Sequence, residues 1–273
     1  MHEWYAAPME GLTGWRWRQV QHEMFGGAAL YVAPFVSPNG NFSFQRKELE
    51  ELDPERNRGI PVVPQILTNR AEYFVWAAKE CRSRGWAQID LNLGCPSGTV
   101  TGKKKGAGLL RQPELLRQLL DGIFDALPDM KISVKTRIGW ERAEEWPALL
   151  ALLETYPICR LTVHPRVRTQ FYKGAADREV FRWTAEHTAL PLCYNGDVTT
   201  VCDLREMGEA FPDAAVMVGR GLVADPSLLR QATGGPAASL EELREFHDRL
   251  YGLYCRDFSG DVPVLHHIRE LWN

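Results

Sequence analysis

Glu114-Leu-Leu-Arg-Gln-Leu-Leu-Asp-Gly-Ile-Phe-Asp-Ala-Leu127, then Pro-Asp-Met, then Lys131-Ile-Ser-Val-Lys-Thr-Arg137: within this stretch the side-chain pattern changes period. In the first part Leu115, Leu116, Leu119, Leu120, Ile123, Phe124 and Leu127 form one continuous helical stripe. In the second, Ser133, Lys135 and Arg137 fall on one side of an extended strand. A helix feeding a strand, repeated along a chain, predicts parallel pairing in an α/β fold.

The repeat holds outward in both directions. Short apolar segments read as strands at Trp4–Pro8, Ala28–Pro34, Pro61–Ile66, Trp86–Gly94, Lys131–Ile138, Arg160–Pro165, Pro191–Gly196 and Ala215–Gly221. Helical periodicity fills most of the intervals, as in Asn69–Arg84 and in Glu141–Tyr156, whose helix is expected to begin near Pro147. Eight such units predict a (β/α)8 TIM barrel over residues 1–235. A doubly wound open sheet also alternates strand and helix. The barrel is favoured because polar residues with special chemistry end strand after strand, as they must when all converge on one mouth. Phe35–Gly59 is polar and predicts a long loop with a short helix over that mouth. Gly234-Gly235-Pro236 marks a break, and Ser239-Leu-Glu-Glu242 is a capping box that opens a C-terminal helical segment, 236–273. Its apolar face is read as Leu240, Leu243, Phe246, Leu250 and Leu253, followed by a second amphipathic run at Val264–Trp272.

Composition narrows the function. The chain has 273 residues, 45% of them hydrophobic and 25% charged, and a net charge of -3. That balance argues against coating nucleic acid by bulk electrostatics while leaving room for a local basic patch. The six cysteines show no CxxC and no zinc spacing, so reduced thiols and no metal are expected. With no signal-peptide pattern at the N-terminus and no apolar run of membrane-spanning length, the expectation is a cytoplasmic protein without membrane partners.

The strand ends carry the chemistry. Asn92-Leu-Gly-Cys95-Pro96 stops a buried strand with Gly94 and Pro96, which presents the Cys95 thiol at a strand mouth on a loop able to close over a ligand. A free cysteine is otherwise commonly a small buried hydrophobe. Gln65, Asp90, Asn92, Lys135, His164 and Arg166 lie at neighbouring strand ends. Asn195-Gly196-Asp197 and Gly219-Arg220-Gly221 follow strands 7 and 8, where barrels commonly build phosphate sites from backbone N–H groups and an arginine fork. Such a pocket suits a phosphate joined to a planar ring that gains negative charge. Flavin mononucleotide (FMN) has all three properties, with Lys135 near the anionic edge and Gln65 and Asn92 reading the ring's carbonyl and N–H groups. No GxGxxG follows a strand, so a Rossmann site is not indicated.

Six motifs in series resemble the tRNA-dihydrouridine synthases: Ala7-Pro8-Met9-Glu10-Gly11-Leu12-Thr13 with Arg18; Asn92-Leu-Gly-Cys95-Pro96 running to Lys105-Gly-Ala-Gly-Leu-Leu110; Val134-Lys135-Thr-Arg137; His164-x-Arg166 with Gln170-x-Tyr172-x-Gly174-x-Ala176-Asp177; Asn195-Gly196-Asp197; and Met217-Val-Gly219-Arg220-Gly221. The chain departs from the family pattern at Gly14, Pro165 and Val167. The resemblance implies an FMN enzyme that reduces the C5–C6 bond of uridine in tRNA, with NADPH recharging the flavin. It implies that Cys95 is the acid, that Lys135 and His164 border flavin and substrate, and that Gly219 and Arg220 hold the phosphate. Pro8 and Met9 join the expected cofactor contacts; Lys103, Lys104, Lys105, Arg166, Arg168 and Tyr172 are the expected RNA contacts, with Arg111 beside the lysines. The helical segment after Gly235 is shorter than the family's usual RNA-holding domain. Its acidic first helix, with Glu241, Glu242, Glu245 and Asp248, is therefore expected to pack on the barrel, leaving tRNA binding weak. Rival readings are an FMN barrel acting on a free pyrimidine, in the manner of dihydroorotate dehydrogenase, a non-catalytic RNA-binding barrel, and a colourless phosphate-binding aldolase or isomerase.

Overall fold

The computed structural model describes residues 2–272; Met1 and Asn273, the last residue assigned to the helical segment, lie outside the described residues. The strands are β1 (Trp4–Ala6), β2 (Leu30–Val32), β3 (Val62–Val63), β4 (Gln65–Ile66), β5 (Gln88–Leu93), β6 (Lys131–Arg137), β7 (Arg160–His164), β8 (Leu192–Asn195) and β9 (Ala215–Val218). Each named pairing is parallel, in the order β3-β2-β1-β9-β8-β7-β6-β5-β4. The segment expected as one strand at Pro61–Ile66 is two, because Pro64 has no N–H to give to a ladder. Its carbonyl still accepts from Asp90 N at 2.8 Å, while the Val63 and Gln65 carbonyls accept from Ala33 N and Val36 N at 3.0 and 2.8 Å. The ring therefore closes through Pro64, and the protein is a TIM barrel.

Helices cover the outside. They are α1 (Trp15–Met24), α2 (Arg46–Glu51), α3 (Ala71–Ser83), α4 (Gly98–Thr101), α5 (Pro113–Ala126), α6 (Trp146–Leu153), α7 (Arg178–His187), α8 (Val201–Ala210), α9 (Arg220–Ala224), α10 (Leu228–Ala232), α11 (Leu240–Asp257) and α12 (Asp261–Leu271). The stripe of α5 packs inward, with Leu116, Leu119, Leu120 and Ile123 essentially solvent-free. Pro147 lies in the first turn of α6. The loop between Phe35 and Gly59 carries the short α2.

The capping box at Ser239 closes as expected: Glu242 N donates to Ser239 Oγ at 3.1 Å and Ser239 N to Glu242 Oε2 at 2.8 Å. Phe246, Leu250 and Tyr254 then bury α11 against α1, with the Phe246 and Phe25 rings 5.6 Å apart. Leu240, expected on that face, is 77% exposed; the first turn of α11 is held instead through Glu242, which accepts from Arg230 Nη1 at 2.7 Å. Among the described residues no helix is long and apolar enough to cross a membrane.

Candidate active site at the barrel mouth

Strand parity gathers the polar residues around one cavity of ≈ 340 Å³. Pro8 and Met9 enter it after β1, Gln65 on β4, Asn92 and Cys95 on and after β5, Lys135 on β6, and His164 and Tyr172 on and after β7. Asn195, Gly196 and Asp197 close it after β8, and Gly219 and Arg220 after β9. In-register pairing places Gln65 beside Asp90 and Asn92 beside Lys135, so residues far apart in the chain share one wall.

The groups in this wall hold one another. Gln65 Nε2 donates to Asp90 Oδ2 at 2.7 Å, and Asn92 Nδ2 donates to Gln65 Oε1 at 2.8 Å. Asn92 Oδ1 accepts from Cys95 N at 2.9 Å and Gly94 N at 3.1 Å. Lys135 Nζ donates to Asn195 Oδ1 at 2.7 Å, whose Nδ2 donates to the Met217 carbonyl at 2.8 Å. Burial and the neighbouring Arg137 charge lower the Lys135 pKa to about 8. Burial, then the charges of Lys135, Arg137, Arg166 and Arg220, push His164 well below its ordinary value, so at neutral pH its ring is uncharged. Arg166 Nη1 lies 3.0 Å from His164 Nε2. A guanidinium can only donate, so Nε2 accepts and the proton sits on Nδ1. His164 is a neutral hydrogen-bond donor in this wall.

Cys95 differs from expectation in one respect. Its loop is clamped instead of free to close: besides the two bonds to Asn92, the Cys95 carbonyl accepts from Ala107 N at 3.1 Å. Arg137 Nε donates to the Gly94 carbonyl and Arg168 Nε to the Pro96 carbonyl, each at 3.1 Å. Gly106, at φ 55°, lets the chain return so closely that a Cβ there would lie 3.0 Å from the Cys95 carbonyl oxygen. Burial raises the Cys95 pKa and so keeps it a thiol at neutral pH.

Two residues expected as RNA contacts are engaged within the protein. Arg166 is 1% exposed and donates to the Gly174 carbonyl and to Asp197 Oδ2, both at 2.5 Å; its charge is spent inside the wall. Arg168 spans from the Cys95 loop to Trp140 and Phe171, with its guanidinium 4.6 and 4.7 Å from those ring centroids. Lys103 and Lys104 are exposed, whereas Lys105 turns to Ser37 Oγ at 3.0 Å. Asp197, expected as a cofactor contact, gives its carboxylate to Arg166, Ala176 N and Arg220 Nη2. Burial opposes its ionisation, but those partners hold its pKa below the ordinary carboxylate value. It orients Arg220.

Arg137, which the strand motif and its shared parity with Lys135 mark but to which no role was given, also lines the cavity. Glu10, inside the first motif, and Phe35, at the start of the loop over the mouth, line it too. Gly221 locks the two glycine loops together, since a Cβ there would stand 2.5 Å from the Val198 carbonyl oxygen. Among the described residues no group of three or more His, Cys, Asp or Glu is placed to hold a metal.

A family model described as Dihydrouridine synthase matches residues 5–253. The chain belongs to the dihydrouridine synthase family. A probable tRNA-dihydrouridine synthase of Rhizobium leguminosarum bv. phaseoli is 30% identical over 265 residues, covering 97% of this chain and 82% of that protein. The tRNA-dihydrouridine synthase B of Proteus vulgaris is 30% identical over 266 residues, covering 93% and 80%. Among solved structures, morphinone reductase superimposes with a TM-score of 0.59 at 12% identity, covering 87% of each chain. A variant of NCR from Zymomonas mobilis gives 0.62 at 13%, covering 87% of this chain and 88% of that one. This dihydrouridine synthase thus shares its barrel with those enzymes, while its family membership rests on sequence.

Proposed function

We propose that this enzyme reduces the C5–C6 double bond of uridine in tRNA to dihydrouridine, with FMN in the barrel-mouth cavity and NADPH as reductant. The observation that carries the reading is the convergence of a neutral thiol, a buried lysine and two interlocked glycine loops on one cavity. The residues fit FMN. Gly196 and Gly219 line the cavity beside Arg220, whose Nη2 donates to Asp197 at 2.9 Å, and backbone N–H groups of such glycine loops suit a phosphate. The chemistry FMN supplies when bound is hydride delivery to uracil C6.

The protein's part is charge and proton placement. Gln65 and Asn92 each keep one amide N–H beyond the wall bonds, giving two donors for ring acceptors. Lys135 supplies positive charge below about pH 8. Cys95, a thiol at neutral pH, gives its proton to C5 as the ring's conjugated carbonyl accumulates charge. Tyr172, 56% exposed between Arg137 and Arg220, offers a ring face at the rim for an extruded base. Lys103, Lys104 and Arg111 line the approach for RNA phosphates. On this reading residues 1–235 hold the flavin and 236–273 form the helical segment.

Purified protein should be yellow and should convert dihydrouridine-free tRNA in the presence of NADPH, read by nucleoside mass spectrometry. A folded protein that neither carries nor takes up FMN overturns the reading.

A further inference from the structure

Asp90 is a buried carboxylate with no part in the chemistry described so far. It is 2% exposed on β5, inside the barrel below the cavity floor. Ser133 Oγ donates to its Oδ1 at 2.7 Å and Gln65 Nε2 to its Oδ2 at 2.7 Å. Its pKa is raised to about 6 by burial, against the pull of Gln65, Ser133 and Lys135, so at neutral pH both oxygens only accept. That single fact propagates. The Gln65 group facing Asp90 must be its NH2, so its carbonyl faces Asn92. Asn92 must then present its NH2 to Gln65, leaving its own carbonyl for Gly94 N and Cys95 N.

We propose that Asp90 is a positioning residue: acting through Gln65 and Asn92, it fixes the amide orientations that anchor the loop carrying Cys95. The relay is bounded at both ends: the Asp90 carboxylate can only accept at the buried end, and the Gly94 and Cys95 backbone N–H groups can only donate at the other, the latter 2.9 Å from Asn92 Oδ1, so one orientation of Gln65 and Asn92 satisfies both. A reversed Gln65 would put carbonyl against carboxylate. A reversed Asn92 would aim NH2 at two backbone N–H groups. Neither alternative keeps the loop where it stands. The catalytic consequence rests on Cys95 being the acid of the proposed reaction; the loop anchoring does not.

The test is a donor–acceptor swap, read by the rate of Cys95 alkylation with iodoacetamide across pH, followed by peptide mass spectrometry on the protein as purified. Gln65→Glu sets two carboxylates against each other and should free the loop, raising Cys95 alkylation by roughly tenfold or more, the scale of one lost charge-assisted hydrogen bond. Adding Asp90→Asn restores a donor–acceptor pair, because the new amide keeps its carbonyl on Ser133 and turns its NH2 to the new carboxylate. The double variant should return to within about threefold of the parent rate, a non-additivity that independent sites do not show. Asp90→Asn alone can keep its carbonyl on Gln65 and should change the rate little, and melting temperatures confirm that each variant is folded. A double variant as reactive as Gln65→Glu, or more so, overturns the relay. Should the parent protein form no dihydrouridine, the functional reading fails while the alkylation series still decides the role of Asp90.

Discussion

The barrel mouth and the C-terminal helices are held together in opposite ways. In and beneath the mouth several charged groups are buried and committed to partners: Arg166 to Asp197, Lys135 to Asn195, Asp90 to Gln65 and Ser133. In the C-terminal helices the ion pairs lie nearer solvent, Arg16 with Asp257, Arg230 with Glu242 and Arg249 with Glu23, around a thin apolar seam of Phe246, Leu250, Tyr254, Val264 and Ile268. Val262 and Leu265 on α12 and Trp272 just after it remain 80, 56 and 57% exposed. Exposed pairs contribute little to stability, so the seam is what docks this segment. Buried polar networks cost desolvation and are kept for what they position. The two regions should therefore fail differently: changes at the mouth should remove activity before stability, and changes in the seam the reverse.

The largest expected effect is at the mouth. Cys95→Ala should lower dihydrouridine formation by about 10² to 10⁴-fold while flavin stays bound and NADPH still reduces it. A variant that works at the parental rate would make the thiol structural. The seam counterpart is Phe246→Ala, which removes a 5%-exposed ring packed at a tilt against Phe25. It should destabilise the protein by about 3–5 kcal/mol in denaturant melts. Retention of FMN absorbance by the part that stays folded would sharpen the contrast; concerted loss of flavin with the helices would break it.

Much of this contrast was legible in the residue pattern, and the misses have physical causes. The alternation of Ser133, Lys135 and Arg137 and of Thr162 and His164 put the right side chains inside the barrel, because period two cannot be satisfied on both faces at once. The motif residues after β8 and β9 reached the cavity because the loops at the C-terminal ends of barrel strands turn over the mouth. The Asp90 relay was invisible because it depends on cross-strand register, Gln65 opposite Asp90. The fate of Arg166 was hidden likewise, since its partner Asp197 lies on another loop. Leu240 obeyed the helical stripe but stays exposed, in a first turn held through Glu242 and Arg230 instead.

A smaller effect is expected at the phosphate end. Arg220→Ala removes a half-exposed guanidinium whose aim depends on Asp197. FMN affinity, measured by fluorescence titration, should fall by roughly 10- to 100-fold, the span of about 1.5–3 kcal/mol for a charged contact. Unchanged affinity would move the phosphate away from the β8–β9 loops.

The smallest effect has the opposite sign and tests the contrast most directly. Lys135 keeps a charge in a buried wall, with its pKa lowered to about 8 from an ordinary 10.5. A depressed lysine pKa means the unfolded chain binds the proton more readily between those two values. Stability contributed by this group therefore rises with pH across that window and is lowest below about pH 8. Replacing the ammonium by an apolar group of similar length removes the penalty but orphans Asn195 Oδ1, so the two effects partly cancel. Lys135→Met in flavin-free protein should be more stable than the parent by about 1–2 kcal/mol at pH 7, with the difference fading above pH 9. Denaturant melts at pH 7 and pH 9.5 read both signs. A variant less stable than its parent at pH 7 would mean that Lys135 also holds the barrel together, and the division between positioning mouth and docking seam would not extend to this residue.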